Sequence, residues 1–186
     1  MKCLFFIVLF GVVMKCYGQA TDSKLNFDAT INYAFLGEGD YGCLYYDNSL
    51  IYSVKPSFQI LATLGFLISS NDGSSNIILS HNNSYLLGDL LFRIIPIKTR
   101  NINFYFGFGN SNRYRSEIEL QSVYTYNQET IITYTNEVSF DFGYLGQIGL
   151  GYKVSPKTTI ILIGELHGYN KGTAISSIGM GINIKL

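Results

Sequence analysis

Apolar and polar residues alternate with a period of two along most of this chain, most clearly from Glu137 to Val154. Every even position there is apolar except Gly146, giving a row of Val138, Phe140, Phe142, Tyr144, Ile148, Leu150, Tyr152 and Val154. The odd positions run Glu137, Ser139, Asp141, Gly143, Leu145, Gln147, Gly149, Gly151, Lys153, and only Leu145 among them is large and apolar. Successive side chains of a strand point to opposite faces, whereas a helix scatters both sets around its circumference. The segment is therefore a strand with one greasy face. The same split recurs. Leu25, Phe27, Ala29, Ile31, Tyr33 and Phe35 stand against Asn26, Asp28, Thr30, Asn32 and Ala34. Every even residue from Leu50 to Ile68 is apolar, with Ser53, Lys55, Ser57, Gln59 and Thr63 opposite. Leu86, Leu90, Phe92 and Ile94 oppose Asp89 and Arg93, and Ile102, Phe104, Phe106 and Phe108 oppose Asn103, Tyr105 and Gly107. Thr158 to Tyr169 begins apolar on both faces and then turns Glu165 and His167 to one side, and the chain closes with Ile178, Met180, Ile182, Ile184 and Leu186.

The pattern predicts strands near 24–36, 50–60, 62–70, 84–97, 102–126, 130–154, 158–169 and 173–186, an even number. Short connections at 98–101 and 155–157 alternate with long ones at 37–49 and 71–83. A reversal is placed near Leu61, although no turn residue stands between Gln59 and Thr63. The fifth and sixth strands outrun the roughly 9–11 residues that cross a bilayer, so a hairpin with its tip at Asn127-Gln128-Glu129 is expected to stand clear of the surface. The polar rows, rich in Gly, Ser and Asn with isolated charges of both signs, suit a narrow lumen. The apolar rows suit hydrocarbon. A closed barrel is also the only sheet that leaves no backbone edge unpaired in lipid. The expected fold is all-β: an eight-stranded antiparallel up-and-down transmembrane β-barrel with one long protruding hairpin.

The start of the chain reads differently. Met1-Lys2 precedes a twelve-residue apolar run from Cys3 to Met14, too short for a spanning helix. Cys16-Tyr17-Gly18 then supplies small residues at a cleavage position, so residues 1–18 read as a secretory signal peptide and 19–186 as the barrel domain. Cleavage removes Lys2 and Lys15 and tilts the balance of 13 basic and 13 acidic residues two charges toward acid. It leaves Cys43 as the one cysteine, so no intrachain disulfide framework exists. With 14% charged and 47% hydrophobic residues the chain is no disordered segment, and its neutral balance argues against nucleic acid. The 15 Tyr, 13 Phe and 19 Gly against 3 Pro are a vocabulary of strands and turns.

The chain resembles the small outer membrane β-barrels of Gram-negative bacteria, of the OmpX-like type and in particular the eight-stranded barrels common in Bacteroidetes. The resemblance rests on overall pattern, on the blocks Gly88-Asp89-Leu90-Leu91-Phe92-Arg93-Ile94-Ile95-Pro96-Ile97 and Phe142 to Tyr152, and on a C-terminal segment with Gly181, Ile184 and Leu186. Members of that group usually close on an aromatic, where this chain has Leu186. The resemblance implies an outer membrane, porin-like barrel at the cell surface, surrounded by lipid and lipopolysaccharide and inserted by the barrel assembly machinery. It implies no reaction.

Candidate chemistry is sparse, and no cofactor or metal motif is present. Glu165, His167 and Ser177 share one face of the last two strands, and Ser-His-Glu is the grammar of acyl transfer; a lipid A acyl hydrolase is the corresponding enzymatic reading. The register points them into the lumen, however, which favours a hydrogen-bonded network. Asp28, Lys55, Asp89, Arg93, Asp141, Lys153 and Lys185 also point inward. They either line a narrow path for small solutes or pair across a plugged lumen, and the width of eight strands favours the plug. Arg113, Arg115, Glu117 and Glu119 share a face of the tall hairpin, where they could meet lipopolysaccharide phosphates or a protein. Tyr124, Tyr126 and Tyr134 near its tip suit strand addition by an extracellular protein partner. His81 lacks a second ligand at metal spacing and reads as a loop histidine. The expected role is non-enzymatic, structural or interactive, for a monomeric barrel.

Overall fold

The computed structural model describes residues 24–37, 41–72, 80–126 and 129–186. The proposed leader at 1–18 lies outside them. Eight strands follow in chain order: β1 (Leu25–Leu36), β2 (Tyr41–Lys55), β3 (Phe58–Asp72), β4 (Ser80–Lys98), β5 (Ile102–Tyr126), β6 (Glu129–Lys153), β7 (Thr158–Tyr169) and β8 (Ile175–Lys185). Each pairs antiparallel with its neighbours in sequence, and β1 pairs with β8 to close the ring. One end of the cylinder carries the tight turns at 56–57, 99–101 and 154–157; we call it the turn end. The opposite end carries the tall β5–β6 hairpin.

The alternation translates directly into an inside and an outside. The large even-numbered residues of β6 from Val138 to Tyr152 are exposed, and odd ones such as Asp141, Leu145 and Gln147 are buried. Rows of Phe, Leu, Ile and Tyr from all eight strands face outward, among them Ile31, Leu44, Leu64, Phe92, Phe108, Ile148, Leu162 and Met180.

The structure corrects the sequence reading of β2 and β3. No reversal occurs near Leu61, which pairs with Ile51 on one side and Leu91 on the other. The chain turns at Pro56-Ser57, just where proline's missing N–H would break a ladder. Next to the turn Lys55 pairs with Phe58, and a register shift between Ser53 and Lys55 then brings odd positions opposite odd ones, Ser53 with Gln59 and Ile51 with Leu61, so the same parity marks the inner face of both strands. The expected long connection at 37–49 is mostly strand as well. Cys43, Tyr45, Asp47 and Ser49 are buried in the lumen, and their polarity marks an inner face, not a loop. Gly37, at φ 66°, supplies the left-handed conformation needed where β1 ends. His81 sits within β4, in register with Asn71, and is not a loop residue; its side chain lies outside the described residues.

The inner face is not uniformly polar. Ala34, Leu36, Cys43, Tyr45, Leu67, Tyr85, Leu87 and Ile175 form a buried apolar cluster toward the hairpin end, and Ile51, Leu61, Leu91 and Leu145 form a second one. Eight strands leave an interior that side chains fill, and these two clusters supply much of the filling.

Candidate functional site

Three polar layers share the lumen with those apolar clusters. Nearest the hairpin end, Arg113 donates through Nε (3.1 Å) and Nη2 (2.8 Å) to Asp141 Oδ2. It also donates to the carbonyl oxygens of Thr173 (2.9 Å) and Lys171 (3.0 Å). Its guanidinium lies against Tyr169 (4.0 Å) and Tyr85 (4.8 Å). Those carbonyls are presented by the β7–β8 connection, where Gly172 at φ 70° has no Cβ to strike the guanidinium. Arg115 joins the layer, its Nε 3.1 Å from Asp141 Oδ2. Its two terminal nitrogens donate to Glu117 (2.5 Å) and Glu137 (3.0 Å). Tyr85 donates its hydroxyl to the other oxygen of Glu117 (2.5 Å).

This corrects the reading of Arg113 and Arg115 as surface groups. Arg113 is 0% exposed and Arg115 is buried, because β7–β8 and the inner wall still flank the base of the hairpin at that height. The exposed large side chains of the hairpin are instead Tyr114, Ile118, Val123, Tyr124, Tyr134, Val138 and Phe140. The side chains of Glu119 and Tyr126 lie outside the described residues. Tyr126 pairs with Glu129, so the strand reversal falls between them.

In the middle layer Asp47 accepts from Thr30 and, at 2.7 Å, from Asn32, while Ser49 and Thr63 share a 2.7 Å bond. Asp89 is buried in register with Ser111. Nearer the turn end, Arg93 donates twice to Gln147 Oε1 (3.0 and 2.8 Å) and reaches Asp28 Oδ2 at 3.5 Å. Its guanidinium lies 4.2 Å from the Tyr105 ring, and Asn183 bonds the other Asp28 oxygen.

Glu165, His167 and Ser177 do come together, but not in catalytic order. Ser177 Oγ donates to Glu165 Oε2 (3.4 Å), whose other oxygen accepts from Gln147 (2.9 Å). His167 Nε2 lies 3.7 Å from Glu165 Oε2. The hydroxyl next to the imidazole is that of Ser111, 3.1 Å from Nδ1, a residue the sequence reading passed over because it sits two strands away in the chain. Ser111 and His167 are both fully enclosed, and Tyr45 caps the imidazole edge-on at 5.9 Å. The constellation is a lumen network.

Lys55, Lys153 and Lys185 share the inward register but do not join these layers. They stand at the turn end around an open cavity of about 640 Å³. The ion pairs of the lumen therefore include Asp28 with Arg93, Asp141 with Arg113 and Arg115, and Glu117 with Arg115. Among the described residues no cluster of His, Cys, Asp and Glu is placed to hold a metal ion.

Comparison with known proteins adds the architecture. No protein-family model matches this sequence, and no curated protein matches it. Solved structures do. The chain is similar to Neisserial surface protein A at 12% identity and a TM-score of 0.54, over 87% of this chain and 96% of that one. It is similar to Ail, the attachment invasion locus protein of Yersinia pestis, at 9% identity and a TM-score of 0.55, again over 87% and 96%. OprG, an outer membrane protein of Pseudomonas aeruginosa, follows at 10% identity and 0.51, over 88% and 97%. The chain has the fold of the small outer membrane barrels. At such identities the likeness concerns shape alone.

Proposed function

We propose that this protein is a non-enzymatic barrel of a Gram-negative outer membrane, exported by its leader, with a plugged lumen and a tall hairpin offered as a docking edge. The outward rows of Phe, Leu, Ile and Tyr form an apolar surface far larger than a water-soluble monomer exposes, and a closed sheet satisfies its backbone within lipid. The turn end then faces the periplasm and the hairpin end the exterior. Lipid and lipopolysaccharide surround the monomer, the barrel assembly machinery inserts it, and the Bacteroidetes-type affiliation belongs to the same proposal. The names of two of the similar barrels mention a cell surface and attachment, in keeping with this reading.

The observation that carries the interactive role is the open edge of the hairpin. The β6–β7 ladder ends at Gly143, with Asn170 bonding both backbone groups of Phe142 (2.9 and 3.1 Å). Above that point β6 runs on to Glu129 with β5 alone, and β5 runs on past Ile118, its last residue paired with β4. Among the described residues no other strand pairs with either outer edge above those points, and Tyr124 and Tyr134 are exposed beside them. An extended segment of an extracellular protein can add to such an edge.

Replacing residues 119–135 by a short turn is expected to leave the barrel folded, because Arg115, Glu117 and Glu137 remain below the cut. Folding is read from the different gel mobility of unboiled and boiled samples. Cells carrying the trimmed chain should lose retention on immobilised extracellular proteins that hold cells carrying the full chain; equal retention rejects the docking role. The enzymatic alternative has its own check. Lipid A from cells carrying His167→Ala is expected to give the same mass spectrum as lipid A from wild type, and a shifted acyl pattern would reinstate the hydrolase.

A further inference from the structure

Positive charge gathers at the turn end among the described residues. Each even-numbered strand ends on a lysine: β2 on Lys55, β4 on Lys98, β6 on Lys153 and β8 on Lys185. These strands all run toward the turn end, so the antiparallel topology gathers the four ammonium groups at one mouth. Lys24, just ahead of β1, and Arg100 and Lys157, in two of the turns, join them around the same cavity of about 640 Å³. Among the described residues the remaining polar lining is neutral, with Asn26, Gln59, Asn103 and Asn183 among it, and no Asp or Glu contributes. Beneath the cavity a smaller recess of about 50 Å³ is floored by the buried Arg93 and Tyr105.

The lysines that close β2, β6 and β8 differ in their pairing from the buried arginines. Arg93, Arg113 and Arg115 each meet a carboxylate within 3.5 Å. Lys98 instead donates to the carbonyl oxygen of Pro56 (3.4 Å). Among the described residues, Lys55, Lys153 and Lys185 have no carboxylate within ion-pairing distance, and their heads stay accessible to water. Like charges gathered within a screening length of ~8 Å repel one another, and a multivalent anion seated among them relieves that repulsion while gaining attraction from each. A concave, water-filled mouth with low-dielectric walls also focuses the field on whatever enters it. The lumen above is filled by side chains, so the mouth is a closed cup and not the entrance to a pore.

We infer that the turn-end mouth is a binding site for a compact polyanion carrying clustered phosphates. The lysine ammoniums serve as point charges around it, and the neutral amides of the wall as hydrogen-bond donors. The phosphates come either from a soluble polyphosphate-like solute or from anionic lipid headgroups folding inward over the rim, and the chemistry of the cup is the same for both.

The full chain, folded in a zwitterionic detergent, is titrated calorimetrically with tripolyphosphate. Saturable one-to-one binding is expected, weakening as salt rises. The triple variant Lys55→Gln, Lys153→Gln, Lys185→Gln should bind about tenfold or more weakly, having lost three charges close to the anion. Lys171→Gln, at the opposite end, should bind like wild type. Should the triple variant fail to show the mobility of a folded barrel, the single variants Lys55→Gln and Lys153→Gln are read instead, each expected to weaken binding. A second arm places the wild type in nanodiscs of zwitterionic lipid with and without phosphatidylglycerol. Competition by the anionic lipid assigns the phosphates to headgroups, and unchanged affinity assigns them to a soluble solute. Absence of saturable binding at millimolar tripolyphosphate overturns the inference, as does equal affinity of the wild type and the variants lacking mouth lysines.

Discussion

Asp141→Ala is expected to lower the unfolding free energy by about 3–5 kcal/mol, the cost of stranding a buried charge without its partner. Asp141 is the carboxylate shared by Arg113 and Arg115, and neither it nor Arg113 has any exposed surface. Removing it leaves Arg113 with the two carbonyls of the β7–β8 connection and the Tyr85 and Tyr169 rings but no carboxylate, and Arg115 with Ser139, Glu117 and Glu137. Glu137→Ala should cost at most about 1 kcal/mol, because its side chain is 60% exposed and water replaces what is lost. The double variant Arg113→Met, Asp141→Leu should recover most of the deficit, since apolar residues of similar volume often substitute well for a buried pair. The chain has no tryptophan, so unfolding is followed in urea by far-ultraviolet circular dichroism and by the mobility of unboiled samples. Identical midpoints for Asp141→Ala and wild type would mean that the upper layer does not hold the barrel together.

Phe92→Arg is the second large effect, and it tests the greasy surface. Phe92 faces outward in mid-strand, between Ile60 and Phe108 in register and stacked on Phe58. A guanidinium there faces acyl chains, which costs about 2–4 kcal/mol near the midplane of a bilayer. The neighbouring position already carries an arginine, Arg93, which is accommodated because it points inward to Gln147 and Asp28. Tyr124→Arg, at a position 66% exposed on the tall hairpin, should change stability by less than about 1 kcal/mol, since that height lies beyond the hydrocarbon. The comparison is made by reversible unfolding into lipid vesicles. Equal costs at Phe92 and Tyr124 would show that the outward rows do not meet lipid.

How much of this was legible beforehand follows from what period-two patterning encodes. It encodes which face a residue takes, so the eight strands, the outward rows and the tall hairpin were all readable. It does not encode where a strand stops when the turn keeps the parity. Pro56-Ser57 together with the register shift beside it does so, and the pattern alone puts the reversal near Leu61 instead. Polarity misled at Cys43 to Ser49, where Tyr45, Asp47 and Ser49 look like loop residues until a closed ring gives them an interior. Height along a strand is also invisible to alternation. Arg113 and Arg115 lie on the face expected of them, but low enough for Asp141 and the β7–β8 connection to enclose them. Lys55, Lys153 and Lys185 lie on the inner face too, yet at the mouth. The partnership of Ser111 with His167 spans 56 residues and depends on a circumferential register that no local pattern specifies.

The seam between the first and last strands has a consequence for how such a chain must reach its final state. Asp28 and Asn183 bond across it although 155 residues separate them, so closure waits until nearly everything in between has been ordered. Until then the incomplete ribbon has two bare margins and a sticky back, a form prone to pairing with its neighbours. Contacts so distant in sequence also make assembly slow. On the reading proposed above, export leaves those margins bare until the seam closes.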